Sequence, residues 1–300
     1  MPITLLAGGT GFVGTRLSEM LRHQGHVVRL LTRHPKGTGQ FGWDVETGFL
    51  DPAAVEGVDF VVNLTGAGIA DKRWTAARKR EIVDSRVKSA HLLAEALRCS
   101  GHLPKAFVSA SAIGYYGNSG EQPMHETDAP VDRSFMVDCC EQWEHAADEV
   151  AALGIRTVKL RLGVVLEKGG GALPEFIKPL RFGLGAYFGN GKAWYSWIHR
   201  DDVCRAFLWA MENTQSEGVY NLVAPHPIRN KPLVQAIAAA RRRPAIYMPV
   251  PSFALRLLFG EMSATILNSN LVSSKRIEQA GFEFQFPEVK KALESIFQHP

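Results

Sequence analysis

The sequence predicts an α/β protein, a doubly wound parallel sheet with a smaller C-terminal lobe. Three observations carry that expectation. Short apolar runs alternate with amphipathic helical stretches through the first half of the chain. A glycine-rich turn joins the first apolar run to the first helix. After about residue 166 the texture changes: glycines cluster at 169–171 and 183–191, and aromatics crowd 187–197. Strands alternating with helices of this length place helices on both faces of a parallel sheet.

The elements follow in order. Residues 3–7 (ITLLA) read as a buried strand and 11–24 as a helix with Phe12, Leu17 and Leu21 inward. Residues 26–32, with VVRLL at the centre, form the second strand. Further strands are expected at 58–64, 106–111 and 156–162, with helices over 75–99 and 134–153 between them. The division expected from this pattern is a sheet domain over 1–165 and a second lobe over 166–300, some of whose segments return to the first.

Composition excludes several classes. With 300 residues, 46% hydrophobic and 21% charged, the chain can bury a large core without disulfides or metals. Cys99, Cys139, Cys140 and Cys204 form no CxxC pair, so a zinc site is not expected, and the pattern suits a reducing, cytoplasmic setting. The opening MPITLLAGGTG lacks the basic start and the apolar length of a signal peptide or a membrane span. A net charge of +4 is mild, and the dense basic run Arg241–Arg243 falls at an expected helix end, where it complements the helix dipole. Neither nucleic acid nor membrane is expected as a partner, and the oligomeric state is left open.

The strongest motif is GGTGFVG. Gly9, Gly11 and Gly14 fit GxGxxG, while Gly8, Gly11 and Gly14 fit GxxGxxG. Placed between a strand and a helix, such a turn lets backbone approach a pyrophosphate, which then meets the free N–H groups of the helix. This makes the sheet Rossmann-type. At the end of the second strand, an acid would select NAD by binding a ribose hydroxyl. Thr32-Arg33-His34 stands there instead, with Lys36 nearby, so a 2′-phosphate and NADP(H) are expected.

With GGTGFVG, LLTR, VVNLTGAGIADKRW, SRVKSAHLLAEAL, SASAIGYYG, LRLGVVLEKGGGAL, FGLGAYFG, WIHRDDV, YNLVAP and FPEVKKAL in view, the chain resembles the extended short-chain dehydrogenase/reductase superfamily. The match runs nearly end to end, and it is with the atypical nucleotide-sugar-epimerase-like branch. The resemblance implies cofactor contacts at Thr10, Gly11, Phe12 and Val13 along the pyrophosphate, and at Thr32 and Arg33 beside the adenosine phosphate. It implies Asp44 near the adenine, Leu64, Thr65 and Gly66 along the cofactor path, Glu81 and Arg86 from the following helix, and Val165 towards the nicotinamide. Glu81 and Arg86 also suit a surface pairing on one helix.

The same resemblance exposes a gap. The superfamily pairs a serine with a Tyr-x-x-x-Lys helix. Ser111 occupies the serine position, but residues 135–144 (FMVDCCEQWE) hold neither tyrosine nor lysine. Met136 falls near the tyrosine slot, with Asp138 and Cys140 near the lysine slot. A positioned base contributes roughly 10²–10⁴-fold, so brisk turnover demands a replacement. Tyr115 and Tyr116, in the loop after Ser111, are the candidates, unless they pack beneath that loop. Asp138, Glu141 and Cys140 are weaker ones.

The second lobe offers Lys192 and Trp194 in an aromatic cluster with Tyr187, Tyr195 and Trp197. The loop after the strand at 58–64 offers Arg73 and Trp74. These suit a ring plus a phosphate, or plain packing. His199 with Asp201 or Asp202 resembles a catalytic pair, but an aspartate N-cap beside a structural histidine is the expectation. The function read here is an NADP(H)-dependent oxidoreductase or epimerase on a nucleotide sugar or a small carbonyl or hydroxyl compound. The alternative is a non-catalytic NADP(H)-binding sensor or scaffold.

Overall fold

The computed structural model describes residues 1–298. The first half contains β1 (Ile3–Ala7), α1 (Phe12–His23), β2 (Val27–Thr32), β3 (Gln40–Asp44), β4 (Phe49–Leu50), β5 (Phe60–Asn63), α2 (Ala76–Ser100), β6 (Ala106–Ala112), β7 (Pro123–Met124), α3 (Phe135–Ala151) and β8 (Thr157–Leu162). The second half contains β9 (Val164–Glu167), β10 (Gly170–Gly171), α4 (Leu173–Leu180), β11 (Leu184–Phe188), β12 (Trp194–Tyr195), β13 (Trp197–His199), α5 (Arg200–Glu212) and β14 (Gly218–Leu222). It continues with β15 (Ile228–Arg229), α6 (Asn230–Ala240), β16 (Ile246–Val250), α7 (Ser252–Phe259), α8 (Ser263–Leu267), β17 (Leu271–Val272), α9 (Lys275–Gln279) and α10 (Val289–Gln298).

One eight-stranded sheet, in the order β14-β8-β6-β5-β1-β2-β3-β4, organises the molecule. All its pairings are parallel except β3 with β4. Alternation along β1 shows how both faces are covered. Leu6 joins the core built with Leu17 and Leu21 of α1 and Val203 and Phe207 of α5. Leu5 and Ala7 join the opposite core, with Leu93 and Leu97 of α2 and Val150 of α3. Successive strand residues point to opposite faces, so a run without polar residues requires two apolar layers. The chain reverses its order across the sheet at β1, whose neighbours are β2 and β5. A crevice therefore opens where the loops after β1 and β5 part.

Three strands of this sheet escape the periodicity argument: β4 is two residues long, too short to show a period. β3 (QFGWD) contains a glycine and is mostly half-buried, so it lacks a strong strand pattern. β14 comes from residues 218–222, and with α5 it completes the first layer from beyond residue 166. β9, α4, β12, β13, α6 and α10 surround a separate core containing Leu173, Phe176, Trp197, Leu233, Ile237 and Leu293.

The helix over residues 200–212 is capped differently from expectation. The cap is His199, whose Nδ1 accepts the Asp201 N–H at 3.1 Å. Both aspartates are committed elsewhere. Asp201 takes two bonds from Arg16 at 2.9 Å, and buried Asp202 accepts the Gln285 and Phe286 N–H groups at 2.8 and 2.9 Å. His199 is buried against Phe286, with ring centroids 4.0 Å apart, and burial lowers its pKa. A structural histidine is what the sequence leads one to expect. Its capping role comes from a neutral imidazole nitrogen.

Candidate functional site

The glycine turn divides its labour. Gly8 has φ +80°, and a Cβ there would lie 2.8 Å from the Leu64 carbonyl carbon. A Cβ on Gly14 would lie 2.2 Å from the Gly8 oxygen, and one on Gly9 would strike the Leu30 side chain. Packing within the protein accounts for these three. Gly11 is different: its φ of −79° suits any residue, and a Cβ there would meet only the Gly8 oxygen, at 3.2 Å. It is exposed, together with Thr10. The chain itself thus leaves space above Gly11, at the start of a twelve-residue helix that has no side-chain cap. Phe12 and Val13 follow in the first turn, half-buried, with Phe12 packed under Gly170.

Further expected positions lie at the ends of neighbouring strands. Thr32 ends β2, and Arg33 beyond it is exposed, as are His34 and Lys36. Asp44 ends β3 and accepts the Glu46 N–H at 2.9 Å. Leu64, Thr65 and Gly66 leave β5, and the Thr65 Oγ1 is buried without a hydrogen-bond partner. Val165 lies on β9 opposite Ile198.

The loop after β5 is tied to α2 by residues that the motif reading passed over. Asn63 accepts the Thr65 N–H at 3.1 Å, Ser85 accepts the Ala67 N–H at 2.9 Å, and Arg78 donates to the Gly68 carbonyl. Arg86 reaches beneath the same loop. Its Nη1 donates to the Ala67 and Ile82 carbonyls at 3.1 and 2.8 Å, and its guanidinium carbon stands 4.9 Å from the Trp143 ring centroid. Its Nε is buried with no partner, and burial lowers its pKa. Glu81 is placed otherwise: it is exposed and pairs with Arg78 at 2.8 Å, so the two helix positions do not meet.

Ser111 sits in a buried charge network. It ends β6, in register with Arg161 of β8, which is itself in register with Asn221 of β14. The Ser111 hydroxyl donates to Glu144 Oε1 at 2.6 Å. Arg161 grips the same carboxylate through two bonds of 2.7 and 2.8 Å, and donates to the Tyr116 hydroxyl at 2.9 Å. Tyr116 donates in turn to Asn221 Oδ1 at 2.7 Å. Tyr116 is fully buried, and burial pushes its pKa up to about 12, against the pull of Arg161. Tyr115 is half-buried, with the Arg161 guanidinium 3.4 Å from its ring centroid.

Glu144, Arg161 and Asn221 were not among the residues singled out by motif. A signal for them exists in the periodicity. β8 reads TVKLRL, with Lys159 and Arg161 two apart and therefore on one face. On α3, Glu144 and Asp148 are four apart and share a face. The two patterns meet as Arg161–Glu144 and Lys159–Asp148, the latter at 2.6 Å.

The helix face expected to carry tyrosine and lysine is apolar here. Met136 and Cys140 are buried and lie against Gly114, in the turn that contains Tyr115. Burial raises the Cys140 pKa, which keeps its thiol protonated. Asp138 is exposed, and Glu141 pairs with Arg133. One turn beyond Cys140 stands Glu144.

The substrate-side residues form two pairs. Trp74 donates to the Ile69 carbonyl at 2.7 Å and stacks edge-on against Phe135, and a Cβ on Gly260 would lie 3.2 Å from the Arg73 Nε. Trp194 donates to Glu121 at 2.9 Å and lies under the Arg229 guanidinium, while Lys192 is exposed and its carbonyl accepts from Arg229. Segment 260–270 borders both pairs, through Gly260 at one end and Ser269, which accepts the Trp194 N–H, at the other. Among the described residues, no cluster suits a metal ion and no helix is long and apolar enough to cross a membrane.

A glycine turn at a topological switch point, with a buried serine network beyond it, defines the short-chain dehydrogenase/reductase class, and comparison with known proteins agrees. The family described as "NAD dependent epimerase/dehydratase family" matches residues 4–222, and the chain belongs to it. A second model, a domain of unknown function (DUF1731), matches residues 250–296. Epimerase family protein SDR39U1 of Mus musculus is 35% identical over 295 residues, covering 97% of this chain and 98% of its own. The crystal structure of human SDR39U1 with NADPH superimposes with a TM-score of 0.89 at 34% identity, covering 99% of this chain and 100% of that one. A nucleoside-diphosphate sugar epimerase from Corynebacterium glutamicum gives 0.79 at 28% identity, covering 98% of this chain and 57% of that one.

Proposed function

We propose that this protein binds NADP(H) in the crevice above Gly11 and uses it to oxidise and reduce a hydroxyl or carbonyl group, as an oxidoreductase or epimerase. The observation that carries the reading is the open space over Gly11 at an uncapped helix start, where backbone N–H groups face outward to receive an anion. The orphaned Thr65 Oγ1 supports it from the opposite wall, and the NADPH in human SDR39U1 supports the choice of cofactor. In this reading Thr10, Gly11, Phe12 and Val13 hold the pyrophosphate, and Thr32 and Arg33 the adenosine phosphate. Asp44 lies by the adenine, while Leu64, Thr65, Gly66 and Val165 line the path to the nicotinamide. Arg86 supplies the fixed positive charge that the superfamily draws from lysine. Glu81 acts by fixing Arg78 at the loop.

The bound cofactor supplies hydride exchange at carbon. The chain supplies the proton path. Because the Ser111 hydroxyl donates to Glu144, its lone pairs remain available to a substrate hydroxyl. A proton can pass from substrate oxygen to Ser111 Oγ as the serine proton passes to Glu144, whose place Arg161 fixes. Tyr115 is the neighbouring hydroxyl for orienting substrate. Tyr116 we assign to the network, since its hydroxyl is buried and bonded on both sides. Arg73 and Trp74, with Lys192 and Trp194, are the substrate-side contacts, suited to a nucleotide-linked or small hydroxyl or carbonyl compound.

A fluorescence titration checks the cofactor. NADPH is expected to bind more tightly than NADH, and Arg33→Asp to abolish or reverse the preference, because a carboxylate repels the 2′-phosphate. Equal affinities in the wild type would refute it. For the chemistry, a screen of sugar nucleotides and small carbonyls is followed by NADPH absorbance. Ser111→Ala is expected to lower any turnover found by about 10²-fold while leaving NADPH affinity unchanged. Full activity in that variant would move proton transfer to Tyr115. The second reading, a non-catalytic sensor or scaffold, rests on Ser111 being only 2% exposed and on the apolar Met136–Cys140 face. NADPH binding without turnover across the screen would favour it.

A further inference from the structure

The second lobe carries a surface that the cofactor crevice does not use. Phe182 is 83% exposed, Ile246 70%, Phe253 73% and Leu257 80%, with Leu184, Met248 and Leu258 also exposed. Large apolar side chains scattered singly need no explanation, but grouped ones mark contact sites. These are grouped by structure. Leu184 pairs in register with Ile246, and Ala186 with Met248, so both strands present the same parity outward. Phe182 lies two residues before the start of β11. Pro251 joins β16 to α7, a short helix that buries only Leu255 and exposes Phe253 and Leu257 four apart.

Within the segments that form this surface the fixed charge has one sign, and two of the acids that bound them, Glu175 and Glu261, are paired with Lys178 and Lys79. Residues 176–200 and 218–260 contain ten lysines and arginines and no aspartate or glutamate. Arg181 and Arg243 stand at the end of the β11–β16 ladder, where the Ile246 N–H bonds the Gly183 carbonyl at 2.9 Å. Arg241 lies between them electrostatically, its pKa lowered by burial and by both neighbours, and its Nη1 is buried without a partner. Arg256 is exposed between Leu255 and Leu257 on α7.

We propose that this apolar, arginine-rimmed face of the second lobe docks on an anionic lipid bilayer. Phe182, Ile246, Phe253 and Leu257 enter the interface while Arg181, Arg241, Arg243 and Arg256 meet phosphates. Such peripheral contact combines apolar burial with attraction to acidic headgroups, and it needs no membrane-crossing helix. A second copy of the chain fits less well. A two-fold contact would oppose arginine to arginine, and Pro249, with Pro244 and Pro251 flanking β16, removes N–H donors needed for edge pairing. The side chains project outward, so the partner that suits them is a fluid interface rather than a shaped protein groove. The Arg241–Arg243 run thereby gains a role beyond complementing the α6 dipole.

Co-sedimentation of the full chain with phosphatidylcholine vesicles, with and without phosphatidylglycerol, tests this. The protein is expected to pellet with the anionic vesicles only, and less at high salt. Phe253→Ser with Leu257→Ser, and separately Arg181→Glu with Arg243→Glu, should each weaken partitioning by about tenfold or more, with unchanged melting temperature and NADPH affinity. No pelleting with anionic vesicles overturns the proposal, as does undiminished pelleting of either double variant. Solution dimers that Phe253→Ser with Leu257→Ser dissolves would assign the face to a second copy. Binding to polyglutamate but not to vesicles would assign it to an acidic protein.

Discussion

Replacing Arg161 with leucine is expected to remove about 3–5 kcal/mol of folding stability, the usual consequence of leaving a buried carboxylate unpaired. Arg161 is 3% exposed, and it holds Glu144 through two bonds and Tyr116 through a third. Leucine fills much of the space but offers no donor, so Glu144 must either stay charged in an apolar setting or take up a proton. The melting temperature should fall by on the order of 10 °C. Pairing the change with Glu144→Leu should restore a large part of the loss, because apolar replacement of both partners removes the desolvation penalty. A single variant that melts within a degree or two of the wild type would show that the network contributes little to the fold. Any turnover should remain low even in the restored double variant, since Ser111 would have lost its proton acceptor. That separates the structural role of the pair from its chemical one.

The second large effect is on the cofactor. Gly11→Val should weaken NADPH binding about 100-fold, roughly 2.8 kcal/mol at 1.4 kcal/mol per decade, and lower thermal stability much less than Gly14→Val does. The φ at Gly11 suits any residue, and within the protein a Cβ there meets only the Gly8 oxygen, a tight 3.2 Å contact that a small shift of the turn relieves, so the larger obstruction is to what binds above it. Gly14→Val should behave differently. Its Cβ would sit 2.2 Å from the Gly8 oxygen, so the turn itself must move, and stability falls along with binding. If Gly11→Val binds NADPH normally, the crevice above the turn is not the cofactor site. If both variants lose stability alike, the distinction drawn between the two glycines is wrong.

The cofactor half of the candidate site was legible because it depends on local rules. A strand, a positive-φ glycine, a close backbone approach and a helix start all fall within residues 3–14, and each leaves a compositional trace. The serine network left almost none as a motif. Its members come from β6, α3, β8 and β14, and what unites them is the register of three parallel strands under one helix. Tyr115 and Tyr116 illustrate the limit: adjacent in sequence and chemically alike, they are separated by burial, which leaves one half-buried with its ring against Arg161 and commits the other to Asn221.

By itself, the sequence determined the doubly wound sheet, the place of the glycine turn, the arginine where an acid would select NAD, and the loss of the Tyr-x-x-x-Lys pair. The first three are statements about neighbours along the chain, which periodicity or spacing encodes; the last rests on the resemblance to the short-chain superfamily. Only the tertiary structure decided that Glu144 accepts the hydrogen bond of the Ser111 hydroxyl, that Arg86 reaches beneath the loop after β5, and that His199 caps α5. It also paired Leu184 with Ile246 and Ala186 with Met248, which brings exposed apolar residues distant in sequence into one ladder. Each of these depends on which element lies beside which, and sheet order brings together residues such as Ser111 and Asn221 that no local pattern connects.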